Sequence, residues 1–357
     1  MTTRLSRRVL GRIKVFAVLV LLTVSVGIAD AFFGGPEDDL DSEESFALQT
    51  VFSWTVGSIM LWSFEIFYVP SRRGAALRRM RLVSAIFLKT FIIFMIVLIA
   101  SAMGELVFRG AMFSTEFIFG PEREFLRVFL VVVVLVIFLQ AGLQVVRIVG
   151  ARNFVNFALG RYRNPIPEER IFMFLDIAGS TALAEKLGDV GVQRLITRFF
   201  FDLSEPVAEY GGQIHQYVGD EMVVTWPLLD PKANLRPLAC CFAINKMVAE
   251  KAPAYQREFG VVPSYRIGLH GGSIVISQCG DQKQEISFYG DTINTTARVV
   301  QQCKPYGKAL LATGELMRKM DLPDTFHAQL VGTERLRGRE QPTDLFSVVP
   351  SPAQQRA

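Results

Sequence analysis

The 357 residues are half hydrophobic, include 29 Phe, and carry 38 Lys and Arg against 34 Asp and Glu, a formal net charge of +4. So small a surplus excludes a protein that holds nucleic acid by bulk charge, and the length admits two domains rather than one. The four cysteines, Cys240, Cys241, Cys279 and Cys303, make no CxxC or CxxH spacing, which argues against a zinc site or a disulfide framework and suits a reducing cytoplasm.

Long apolar runs are confined to the part before about residue 150. Four of them, Val15 to Phe33, Ala47 to Val69, Leu82 to Gly104 and Val128 to Val149, each approach the ~20 residues that a helix needs to cross hydrocarbon. Residues 1–149 are therefore expected to form an all-α transmembrane domain of four helices in a lipid bilayer. Arg4, Arg7, Arg8, Arg12 and Lys14 precede the first run, and Arg72, Arg73, Arg78, Arg79 and Arg81 lie between the second and third. Positive flanks stay on the cytoplasmic side, so both termini are placed in the cytoplasm of a multi-pass protein of the cell (inner) membrane. Glu65 and Lys89 interrupt the second and third runs at similar depth; they can pair, or each can snorkel separately to the headgroups.

Residues 150–168, with Pro165 and Pro167, read as a cytoplasmic linker to a second domain over 169–350, and 351–357 as a tail. Arg170 to Asp176 is an apolar run ending in a carboxylate, the pattern of a buried central strand. The turn Ala178-Gly179-Ser180-Thr181 follows, and its backbone N–H groups can face phosphate at the start of a helix; such a turn is equally an ordinary cap. Val192, Leu195, Ile196, Phe199, Phe200, Leu203 and Val207 form a helical stripe. After Gly211-Gly212, Gln213 to Tyr217 and Glu221 to Trp226 read as two strands of a hairpin around Val218-Gly219-Asp220.

Strand, helix and hairpin in this order bring Asp220 beside Asp176. Paired carboxylates suit one or two Mg²⁺ ions that keep positions open for phosphate oxygens, although an isolated turn Asp is usually structural. Further on, Phe288 to Arg298 passes from a strand into a helix with Asn294 and Arg298 at i and i+4 on one face. An amide and a guanidinium so aligned can hold a ribose and a negatively charged phosphorus centre, or can simply be a solvated face.

Three motifs, Phe174 to Thr181, Tyr217 to Glu221 and Gly290 to Arg298, resemble in sequence and order those of the class III adenylyl and guanylyl cyclase catalytic domain, over roughly residues 168–348. The resemblance implies an α+β, ferredoxin-like palm fold following the transmembrane domain, and a membrane-bound adenylate cyclase that turns ATP into 3′,5′-cyclic AMP and pyrophosphate. It implies two Mg²⁺ or Mn²⁺ ions per site on Asp176 and Asp220 with the Ile177 carbonyl assisting, Asn294 on the ribose and Arg298 on the α-phosphate. In the family the two sets come from opposite subunits, so a homodimer is implied.

Arg339, in Leu336-Arg-Gly-Arg339, resembles a basic strand motif that contacts triphosphate. The base-recognition positions are Gln216 and Ser287, neither the Lys with Asp or Thr typical for adenine nor the Glu with Cys typical for guanine. A Gln amide and a Ser hydroxyl match either purine; the absence of the Glu and Cys pair, and the frequency of cyclic AMP synthesis among bacterial members of the family it resembles, favour ATP, with GTP as the alternative. A non-catalytic nucleotide-binding receptor is the alternative from another class. Ser273 stands where many members carry a triphosphate-binding Arg, with Lys283 or Arg339 able to compensate; His215 and His270, in strand-like stretches, read as structural.

Overall fold

The computed structural model describes residues 7–33, 43–71, 73–74, 76–77, 80–109, 150–282, 284–339 and 341–350, with scattered residues between 134 and 146. The chain divides into two compact units, 1–154 and 155–357.

In the first unit lie α1 (Arg7–Phe33), α2 (Glu43–Ser63) and α3 (Leu82–Arg109). Each, α2 together with the helical turn Phe64–Tyr68 that follows it, contains a segment long and apolar enough to cross a membrane, Val9–Phe32, Ala47–Tyr68 and Val83–Phe108, three such helices among the described residues. They coincide with the first three expected spans. The fourth, Val128 to Val149, lies mostly outside the described residues, and Arg72, Arg78 and Arg79 of the second loop lie outside them.

Small residues let these helices approach: a Cβ on Gly27 would collide with the Trp54 side chain. Several polar groups of these helices are paired, while the buried Thr90 hydroxyl has no hydrogen-bond partner among the described residues. The Trp54 indole donates to Asp30 at 2.9 Å and the Trp62 indole to the Thr23 hydroxyl at 3.2 Å. Lys89 Nζ reaches both Glu65 carboxylate oxygens, at 3.0 and 3.1 Å, with the two side chains 8% and 2% exposed. Of the two readings open to the sequence, the ion pair is the one that forms. Glu65 sits on a wide π-helical turn, Phe64–Tyr68, that continues α2.

The second unit is built on one eight-stranded sheet: β1 (Ile166–Ile177), β2 (Gln213–Val218), β3 (Glu221–Pro227), β4 (Tyr265–Cys279), β5 (Glu285–Tyr289), β6 (Leu310–Thr313), β7 (Phe326–Glu334) and β8 (Thr343–Pro350). The order is β2-β3-β1-β4-β6-β8-β7, with β5 folded back on β4; only β4 and β6 run parallel. The helices are α4 (Ala151–Ala158), which straddles the unit boundary, α5 (Ser180–Glu209), α6 (Arg236–Phe259), α7 (Asp291–Gln302) and the single turn α8 (Gly314–Met317).

The unbroken apolar run of β1 is explained by burial on both faces. Ile171, Met173, Leu175 and Ile177 join Leu195, Phe199 and Leu203 of α5 and Leu238 and Ile244 of α6 in the main core. Phe172 and Phe174 face a second cluster with Val223, Ile274, Ile276 and Val300. Each fully buried aliphatic or aromatic side chain of this kind contributes roughly 1.5–3 kcal/mol.

The predicted stripe on α5 is the buried face, and the helix kinks before it, at Gly188 with φ of 71°. The strand read from Arg170 begins earlier, at Ile166, because β4 pairs with it as far as Ile276. The expected linker is partly structured too: α4 forms within it, Tyr162 packs into the second cluster, and the Tyr162 carbonyl accepts the Gln278 N–H at 2.7 Å.

Candidate active site

Asp176 is the last residue but one of β1, and Asp220 occupies the turn between β2 and β3. The Ile177 N–H donates to the Asp220 carbonyl at 3.3 Å, and Asp176 is directly opposite Glu221 in the β1–β3 ladder, so the hairpin turn is pinned against the strand end. Gly219, with φ of 60°, supplies the left-handed residue of this turn. Burial raises the Asp176 pKa, the neighbouring Asp220 charge raises it further, and Arg266 opposes both. Glu221 is pushed up to about 7, first by burial and then by Asp176 and Asp220. Three acids thus crowd one strand end with only a loose counter-charge, Arg266 Nη1 at 3.9 Å from Asp176.

Arg266 and Glu221 were not singled out in the sequence. Arg266 is placed by the pairing of Asp176 with Arg266 across β1 and β4, a long-range register that no local pattern announces. The turn after β1 has Gly179, φ of 72°, at the helix cap, and the first amides of α5 at Gly179, Ser180 and Thr181. The Ala178 N–H is already committed to the Ser264 carbonyl at 2.9 Å.

The third motif lies on α7, which runs across β4. Thr292 donates from its hydroxyl to the Ser273 carbonyl at 2.7 Å, and Gly268 gives Val300 the room to sit against the strand. Thr295, Thr296, Val299 and Val300 face the sheet, which leaves Asn294 exposed and Arg298 half-buried on the other side. Six helical residues and two strand residues separate the level of Asn294 from that of Asp176, about 16 Å along the sheet. The structure therefore brings Asp176, Ile177, Asp220 and the Gly179–Thr181 turn together and leaves Asn294 apart from them.

Arg339 is engaged within its own chain. Its Nε meets Asp291 and its Nη2 meets Glu315, both at 3.0 Å, and its Nη1 donates to Thr343 at 3.2 Å. A triphosphate reaching it has these acceptors to displace. His270, 2% exposed, meets the Thr313 hydroxyl at 2.7 Å inside the sheet, the structural place expected of it. Lys283 lies outside the described residues.

With this geometry agrees a match of residues 167–347 to the profile of the adenylate and guanylate cyclase catalytic domain. The chain belongs to that family. It is 38% identical over 206 residues to adenylate cyclase 2 of Rhizobium meliloti, which covers 58% of this chain and 57% of that protein. It is 28% identical over 187 residues to adenylate cyclase 1 of the same organism, 51% of this chain and 28% of the relative. The matched segments thus span little more than half of the first relative and less of the second. Among solved structures, a bacterial light-regulated adenylyl cyclase shares the fold with a TM-score of 0.54 at 19% identity, over 64% of this chain and 66% of that one.

In the cyclase domain, Gln216 is exposed on β2 and Ser287 is half-buried on β5, its hydroxyl 3.3 Å from Cys279 Sγ. The residues next to them touch: the His215 and Phe288 rings have centroids 4.3 Å apart. The two positions that read as base-recognition residues are thus neighbours of one contact. The four cysteines are free, three of them buried.

Proposed function

We propose that the protein is a membrane-anchored adenylate cyclase that converts ATP to 3′,5′-cyclic AMP and pyrophosphate for intracellular signalling. The reading is carried by the juxtaposition of Asp176 and Asp220 in a cyclase domain, two carboxylates whose mutual repulsion is only loosely offset by Arg266, 3.9 Å from Asp176. Such a pair fits divalent metal: hard oxygen donors and excess negative charge, with Glu221 beside them, and a metal held by two carboxylates keeps coordination positions for phosphate. Asp176, Asp220 and the Ile177 carbonyl would hold two Mg²⁺ or Mn²⁺ ions. When bound, these supply Lewis acidity that lowers the pKa of the ribose 3′-hydroxyl and offsets charge on the phosphates.

The rest is the work of side chains and amides from two chains. The exposed Asn294 does not span about 16 Å to the acids of its own chain, which supports a homodimer whose two-fold axis completes two sites. The amides of Gly179, Ser180 and Thr181 receive the triphosphate at a helix start. Asn294 of the partner subunit orients the ribose. Arg298 of the partner subunit faces the α-phosphate, where negative charge grows as the 3′-oxygen attacks and the bond to pyrophosphate breaks. Gln216 and Ser287 hold the base. ATP rather than GTP is supported by the absence of the Glu and Cys pair and by the names of both Rhizobium relatives.

Residues 1–149 are the bilayer anchor, with four helices, both termini in the cytoplasm and the linker over 150–168. Anchoring two chains in one membrane raises their effective concentration and favours the dimer. The test is to incubate the membrane-embedded protein with ATP or GTP and Mg²⁺ or Mn²⁺ and to quantify the product. Cyclic AMP from ATP is expected; no cyclic product in any combination refutes the enzyme, and cyclic GMP alone refutes the choice of base.

A further inference from the structure

Gln216 and Ser287 stand on strands that share no hydrogen bond, since β3, β1 and β4 lie between β2 and β5 in the sheet. No ladder sets the distance between them. Side chains crossing the face of the sheet do so instead. The His215 ring lies against the Phe288 ring at 4.3 Å. Beneath them Arg170, 2% exposed, sits 5.7 Å over the same Phe288 ring and donates from Nη1 to Gln213 Oε1 of β2 at 3.3 Å. Glu168 fixes that guanidinium from the other side at 2.9 Å, and Phe172 backs Phe288 edge-on at 5.5 Å.

The sequence of β2 permits this because its register against β3 shifts between Ile214 and Gln216. His215 is the residue left over at that shift, free of the ladder and available to Phe288. Burial pushes its pKa down to about 4, so near neutral pH it is an uncharged flat ring that tolerates the Arg170 charge.

We propose that His215 is the positioning residue of the purine pocket: with Phe288 and Arg170 it braces β2 against β5 and sets the spacing of Gln216 and Ser287. This rests on the assignment of those two residues to base recognition. A Gln amide and a Ser hydroxyl match either purine by chemistry alone, so their separation and tilt decide which base is held, and how tightly.

The experiment uses the full-length protein in membranes and compares His215→Ala with His215→Phe, which keeps a ring and removes both nitrogens. Binding of fluorescent, non-cyclisable ATP and GTP analogues is measured beside KM and kcat. His215→Ala is expected to weaken ATP-analogue binding and raise KM roughly tenfold, and to narrow the ATP-over-GTP ratio about threefold, with kcat within about twofold. His215→Phe is expected to restore all three.

Should His215→Ala fail to fold, Phe288→Leu, which keeps apolar volume but loses the ring, is expected to give the same shifts. Unchanged binding, KM and ratio in the folded variants overturn the brace, and so does a fall confined to kcat. A wild-type chain that binds nucleotide without cyclising it overturns the catalytic reading alone, and the binding measurements then decide the brace. One that binds neither nucleotide overturns both.

Discussion

Mixing two inactive variants tests the shared site directly. Asp176→Ala removes a carboxylate from the acid cluster, and Asn294→Ala removes the amide on α7, about 16 Å away along the sheet in the same chain. If the sets meet only across a two-fold axis, each homodimer of either variant lacks a component in both sites. A heterodimer instead collects both lesions in one site and leaves the other intact. Random pairing of equal amounts makes about half the dimers heterodimers, each with one working site of two, so the mixture is expected to recover about a quarter of wild-type activity. The assay is cyclic AMP production from membranes in which the two chains are co-expressed, with circular dichroism and melting to confirm that each variant folds. Two folded variants that stay inactive together refute the division of the site between chains.

Acid–base linkage gives a second expectation. Glu221 is held at about 7 against an ordinary value of 4.5, and Asp176 is also raised. A carboxyl group with a folded-state pKa above its unfolded one favours the fold while protonated. Its contribution is full below about 4.5 and is lost as pH rises through about 7. In chelator, melting of the cyclase domain within the full chain is expected to fall over that window and Glu221→Gln to flatten the fall; an unaltered slope contradicts the assignment. In the first unit, Lys89→Met removes the cation that meets the buried Glu65 carboxylate and is expected to cost about 3–5 kcal/mol, most of it recovered in Glu65→Leu/Lys89→Met. Unfolding in detergent reads both, and a double variant no better than the single removes the pair as the cause. Gly268→Ala places a Cβ 2.5 Å from the Val300 nitrogen, backbone that cannot retract, so α7 has to lift at about 1–3 kcal/mol with loss of turnover. Wild-type melting and turnover in that variant would show that α7 is not seated as described.

Elements that depend on local pattern were legible from the chain. The three described helices long enough to cross a membrane coincide with their apolar runs, and the stripe from Val192 to Val207 is the face that α5 turns inward. Asp176 and Asp220 were legible as a pair because strand, helix and hairpin leave few ways to fold. The Glu65–Lys89 pair was one of two options, since matched depth permits a contact but does not say which helix faces turn together. Boundaries moved where a distant partner extended an element: Ile166 starts β1 because Ile276 lies beside it.

By itself the sequence determined the apolar spans, the buried central strand and the three motifs, because these follow from periodicity, side-chain chemistry and turn residues within a few positions. Only the tertiary structure decided that Arg266 and Glu221 share the strand end with Asp176, that Arg339 is held by Asp291 and Glu315, and that His215 meets Phe288 across three intervening strands. Each depends on elements remote in the chain being brought together, the first and last by strand register set by burial of two whole faces at once and the Arg339 contacts by helix placement, rather than on any short stretch of residues.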